Sequence, residues 1–130
     1  MPDAFTPTGF VAFRPVEDLA AARDFYVRDL GLHVARDQGA CLILRVAERA
    51  YLGLCQRGYD GHDGVPPGED RAITTLLVED VGAVHDRLRR LGVEVDGPPR
   101  HHPDFAITHF FARDPDGHRV EIQRFDVPLP

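Results

Sequence analysis

Val16-Glu17-Asp18-Leu19 is echoed by Val78-Glu79-Asp80-Val81, and Leu30-Gly31-Leu32-His33-Val34 by Leu91-Gly92-Val93-Glu94-Val95. The openings stand 62 positions apart (16 to 78) and the glycines 61 apart (31 to 92), so one single-residue gap aligns both ends. Two copies at so long a period do not make a solenoid. They describe a duplicated module. In each copy an apolar, strand-like stretch leads to an aspartate, Asp18 or Asp80, whose carboxylate can accept the first free backbone N–H groups of a helix. Leu19, Ala22, Phe25, Tyr26 and Leu30 then share one helical face, as do Val81, Val84, Leu88 and Leu91 in the second copy. Gly31 and Gly92 follow and can take the left-handed conformation that ends a helix.

Working outward, short runs rich in strand formers fill the rest of each copy. Strands are expected at 9–14, 32–37, 40–46 and 50–56 in the first, with a turn at Ala47-Glu48-Arg49. In the second they are expected at 72–78, 93–96, 106–113 and 118–125. The fold class is therefore α+β, a single domain over 1–130 of two tandem β-α-β-β-β modules, at 9–57 and 71–126. The intervening 58–70 is rich in glycine, proline and acid and reads as a linker or flap. Its Tyr59, Asp60, Asp63, Glu69 and Asp70 suit a solvated loop and would attract a cation. Asp114-Pro115-Asp116-Gly117 predicts a three-residue hairpin loop with a bulge at the glycine. That register sets Phe111 opposite Glu121 and His109 opposite Gln123. Cys41 and Cys55 are equidistant from position 48, so a hairpin centred there faces them across two strands.

Composition removes several chemistries. The 130 residues carry 21 acidic and 15 basic side chains, a formal charge of −6, and every basic one is arginine. Lysine, serine, asparagine and tryptophan are absent. A serine nucleophile, a lysine Schiff base, a P-loop lysine and an N-glycosylation acceptor are thereby excluded. Mutational bias accounts for the arginine-only set. Hydrophobic content of 43% and charged content of 28% are ordinary for a globular domain. No apolar run is long enough for a membrane span, and MPDAFTPTGF has neither a basic n-region nor an apolar h-region, so a cytoplasmic location is expected. In that reducing setting the cysteines are expected as free thiols. The acidic balance argues against nucleic acid and suits a cationic ligand.

Val16-Glu17-Asp18-Leu19 with Phe25-Tyr26 and Leu30-Gly31-Leu32, followed much later by Asp114-Pro115-Asp116-Gly117-His118-Arg119-Val120-Glu121-Ile122, resembles the vicinal oxygen chelate superfamily. That superfamily includes glyoxalase I, bleomycin-resistance proteins, fosfomycin-resistance proteins and extradiol dioxygenases. The resemblance runs over about residues 9 to 125. It implies cup-shaped mixed sheets with helices on the outer face and, in many members, cups completed across a homodimer. It also implies four metal-ligand positions, which fall here on Val11, Gly53, Ile73 and Glu121. Three of the four have no donor atom, and a divalent metal needs three or four. A shift of two from Gly53 reaches Tyr51 or Cys55 and restores no His/Glu set. No metal or other cofactor is therefore expected.

Strand alternation assigns the faces. Phe10 and Ala12 are expected against the helices, with Val11 and Phe13 toward the cup. Thr74, Leu76 and Val78 pack, while Ile73, Thr75 and Leu77 face the cup. Val120 and Ile122 pack, while Arg119, Glu121 and Gln123 face inward. The ligand-binding set is thus Val11, Phe13, Tyr51, Ile73, Thr75, His109, Phe111, Glu121 and Gln123, an apolar cup with a few polar groups. Glu121 is the one candidate catalytic residue, as a general base. His101-His102-Pro103-Asp104 reads as a rim loop whose adjacent histidines point in opposite directions, and His118 as exposed beside its turn. Arg14, Arg45, Arg119 and Tyr51 offer an alternative grip on an anionic ligand. The expected function is binding of a small organic molecule, in the manner of the metal-free bleomycin-resistance proteins. The alternative is a lyase, isomerase or dioxygenase with a divalent metal on Glu121 and His109, helped by His101 or His102.

Overall fold

The computed structural model describes residues 6–58 and 72–130, so the expected linker, Gly58 apart, lies outside the described residues. Module one runs β1 (Phe10–Val16), α1 (Leu19–Arg23), β2 (His33–Asp37), β3 (Cys41–Ala47) and β4 (Ala50–Gln56). Module two runs β5 (Thr74–Leu77), α2 (Val81–Arg90), β6 (Arg100–His102), β7 (Ile107–Arg113) and β8 (Arg119–Phe125). They form two four-stranded sheets, ordered β1-β4-β3-β2 and β5-β8-β7-β6. Each sheet is mixed, because its first strand pairs parallel to its last and the others pair antiparallel. The fold is α+β, and the repeat extends to register: Phe13 faces Gly53 where Thr75 faces Glu121.

Both caps form, with Asp18 Oδ1 accepting from Ala21 N at 3.1 Å and Asp80 Oδ1 from Ala83 N at 2.9 Å. Beyond Arg23 the first helix widens into a π-helical segment, Asp24–Asp29, with Leu30 N bonded to Phe25 O. The wider turn lets Phe25, Tyr26 and Asp29 all face inward. Gly31 then takes φ +81°. On α2 the buried face is Val81, His85 and Leu88. The expectation for Leu91 is corrected: it is 48% exposed, and His85 takes the inward place with its ring edge-on to Phe110, 5.1 Å between centroids.

One core joins the sheets. Leu42, Leu44, Leu52 and Leu54 of the first pack in it with Leu76, Phe110, Val120 and Ile122 of the second, under the helices. Phe10 and Ala12 are a second correction, since both are exposed. They share the packed face by parity, but β1 is an edge strand and the short helix lies over β4. In module two the expected strand at 93–96 reduces to one bridge, Val95 to Ala112, and the expected rim loop at His101-His102 is strand β6. The edge position is taken by the later segment because Arg100 and His102 pair with His109 and Ile107. Cys41 and Cys55 face each other as expected, but as a disulfide and not as free thiols. Their Cα atoms are 4.1 Å apart, the closeness of a narrow cross-strand pair. Among the described residues no helix is long and apolar enough to cross a membrane.

Candidate functional site

The edge strands β1 and β5 meet where the modules join, with Arg14 Nη1 donating to Thr74 Oγ1 at 2.7 Å. Beside this contact opens a cavity of about 500 Å³, within the size range of small-molecule sites. Phe10, Phe13, Tyr51, Leu52, Ile73 and Thr75 are among its walls. A second hollow of about 370 Å³ lies across β1, walled by Val11, Phe13, Ile43, Tyr51 and Arg36. Phe13 and Tyr51 belong to both. Among the described residues neither lining includes an aspartate or glutamate, and Arg14 and Arg36 supply the charge.

The other half of the expected set gathers on the open face of the second sheet. The hairpin forms in the expected register, with Gly117 N bonded to Asp114 O at 2.9 Å and Gly117 at φ +81°. Phe111 stands opposite Glu121 and His109 opposite Gln123. Glu121 is the hub. Its Oε1 accepts from Thr75 Oγ1 at 2.8 Å and its Oε2 meets His109 Nδ1 at 2.7 Å. The Gln123 amide, oriented nitrogen inward, donates to both oxygens at 3.2 and 3.0 Å. Thr75 links this cluster to the cavity, which it also lines. Arg119 lies over the Phe111 ring at 3.9 Å from its centroid.

The family's metal does not fit these donors. At its four positions Val11 and Ile73 have no donor atom, and Gly53 has no side chain. The Phe13 ring occupies the space where a Cβ on residue 53 would stand. The remaining pair, Glu121 and His109, bond to each other. Two ligands of one metal, each at about 2.1 Å, stand farther apart than the 2.7 Å between Nδ1 and Oε2. Among the described residues no group of three or more His, Cys, Asp or Glu is placed to hold a metal ion.

On the opposite face the two motif segments that carry the resemblance touch one another. Tyr26 donates its hydroxyl to Asp114 Oδ2 at 2.8 Å, and Glu17 N donates to the Asp116 carboxylate at 3.0 Å. Burial, and then the Asp114 carboxylate, push the Tyr26 hydroxyl well above its ordinary range. His118, expected to be exposed, is 2% exposed, because the tight hairpin turns it inward beside Asp114. His101 and His102 diverge as expected for neighbours on a strand. His101 Nδ1 bonds Asp126 at 2.8 Å, while His102 stacks on Phe105 at 4.5 Å and faces His109. Sequence reasoning named Arg14 only as an alternative grip on an anionic ligand and missed its burial, and it missed the Tyr26–Asp114 bond. For the latter, a tyrosine on an otherwise apolar helix face was the available signal.

A family profile described as "Glyoxalase/Bleomycin resistance protein/Dioxygenase superfamily" matches residues 9–122. The chain belongs to this superfamily. Solved structures agree on its fold. TnmS3, an antibiotic binding protein from Streptomyces sp. CB03234, superposes with a TM-score of 0.77 at 29% identity, over 95% of this chain and 98% of that one. A glyoxalase/bleomycin resistance protein/dioxygenase from Nocardioides gives 0.75 at 19% identity, over 98% and 90%. A member of the superfamily from Sphaerobacter thermophilus gives 0.73 at 21%, over 92% and 98%. No curated protein sequence matches this superfamily member.

Proposed function

We propose that the protein binds a small organic molecule at the junction of β1 and β5 and does so without a metal. One observation carries this reading: the cavity of about 500 Å³ is walled by Phe10, Phe13, Tyr51 and Ile73, and Phe13 fills the place beside Gly53. Burying apolar ligand surface against such walls supplies about 25 cal/mol per Å² before the cost of immobilising the ligand. The likeness to TnmS3, an antibiotic binding protein, supports sequestration of a ligand over its conversion. Arg14 and Arg36 at the walls favour a neutral or acidic ligand over a cationic one.

A second copy of the chain is proposed as the cover of the exposed apolar edge formed by Phe10, Phe13, Ile73 and Leu77, which are 70%, 48%, 46% and 58% exposed. For ligand binding, protein purified without chelators is assayed for metals and titrated calorimetrically with aromatic and with cationic glycopeptide antibiotics. The expected result is saturable heat with an aromatic compound and metal far below one ion per chain. Stoichiometric iron, manganese, nickel or zinc that disappears in Glu121→Ala would overturn the reading. So would the absence of heat across the panel.

A further inference from the structure

Glu121 occupies the position from which its family would reach a metal, yet its oxygens are already engaged. Thr75, His109 and Gln123 all turn donors toward them. A carboxylate that receives four such contacts offers a ligand little, but it fixes its neighbour. Nδ1 donating to the carboxylate leaves Nε2 as the ring nitrogen of His109 that can accept a hydrogen bond. Among the described residues Nε2 has no hydrogen-bond partner, and it is not one of the sealed-in polar atoms. The residue is 9% exposed, and this nitrogen is an accessible acceptor that a ligand's donor can reach.

The surroundings narrow what could complete it. Phe111 lies edge-on to His109 at 5.5 Å between ring centroids. Arg119 covers Phe111 and makes no ion pair among the described residues, so a guanidinium stands next to the dyad. It disfavours an ammonium donor and favours one that gains negative charge as it shares its proton. Exposed Leu77 of β5 and Phe105 of the turn between β6 and β7, the latter stacked on His102, supply apolar surface.

We propose that His109, oriented by Glu121, is the hydrogen-bond acceptor that selects a planar apolar ligand bearing an acidic hydroxyl, a phenol or an enol. His109 is the contact residue, and Glu121 is a positioning residue that holds its tautomer. This rests on the ligand-binding reading above and deepens it, by naming a polar contact in the cluster that Thr75 joins to the cavity.

The test compares 2-naphthol, 2-methoxynaphthalene and naphthalene by fluorescence titration of the wild-type protein. Naphthol is expected to bind about tenfold more tightly than its ether, the factor that 1.4 kcal/mol of hydrogen bonding gives. His109→Leu should abolish that preference, so that naphthol and its ether bind the variant within about twofold of each other. Nitrogen-15 NMR of the imidazole should find the proton on Nδ1 in the wild type and redistributed in Glu121→Gln, a change that loss of packing alone would not cause. Equal binding of naphthol and ether overturns the proposal and leaves the cavity reading intact. So does a proton on Nε2 in the free protein, or a naphthol preference that survives in His109→Leu. If none of the three compounds binds, both readings fall together.

Discussion

Gly53 and Phe13 show how one missing side chain determines what a site is able to do. The duplicated register puts Gly53 where module two has Glu121, and the Phe13 ring lies in the space so released. Gly53→Ala should therefore cost about 1–3 kcal/mol through overpacking. In a Phe13→Ala background the same change should cost much less. A urea-denaturation double-mutant cycle reads the coupling, and additivity would show that the ring swings aside freely. Tyr26 poses a pH question. Its hydroxyl is raised above the ordinary 10.0 by burial and then by Asp114, so the folded state holds that proton more tightly than the unfolded chain does. The contribution is complete below the unfolded value and is lost as pH climbs through the folded one. Tyr26→Phe should be less stable by about 1.5–3 kcal/mol at neutral pH, and its deficit should shrink above about pH 10. A deficit that does not change across that range would contradict the burial of this hydroxyl.

At the scale of elements, caps and turns were legible and edges were not. Asp18, Asp80, Gly31 and the Asp114–Gly117 hairpin act through neighbours within a few residues, and each forms as the residues dictate. The segment that forms β6 has the sequence of a loop, because its two histidines, followed by proline, show no apolar alternation. It is a strand because β7 offers an unpaired edge. The β3–β4 hairpin is a similar case, since its symmetry places Cys41 opposite Cys55 but says nothing of oxidation. The disulfide spans a sequence separation of 14, for which loop-closure entropy suggests stabilisation of about 3 kcal/mol. Guanidinium unfolding with and without a reductant should show a loss of about that size. Identical curves would mean that the bond contributes nothing to the fold in solution.

For the whole molecule, the apolar edge at β1 and β5 makes assembly the property to measure. If a second copy covers it, light scattering should give twice the 14.5 kDa chain mass. Leu77→Asp should then shift the protein toward monomer with its circular dichroism unchanged, because Leu77 is 58% exposed and outside the core of the single chain. A wild-type protein that stays monomeric at high concentration would remove the second copy from the proposal. The site is assembled at the same scale. Phe13 and Ile73 come from different modules yet line one cavity, and Thr75 connects that cavity to the Glu121 cluster.

The chain by itself determined the repeat, the caps, the hairpin register and the superfamily, because helix periodicity, capping chemistry and turn geometry are local and the motifs stand in the sequence. It also placed non-donor residues at three of the inherited metal positions. Only the tertiary structure decided that Glu121 and His109 bond to each other, that Phe10 leaves the packed face, and that His118 and Arg14 are buried. Those outcomes depend on which strand lies at an edge and where a short helix ends its cover. The cover of β1 and the Arg14–Thr74 bond join residues far apart in the chain, and even across the β7–β8 hairpin, where sequence sets the register, packing decides which side chains bond and which are buried.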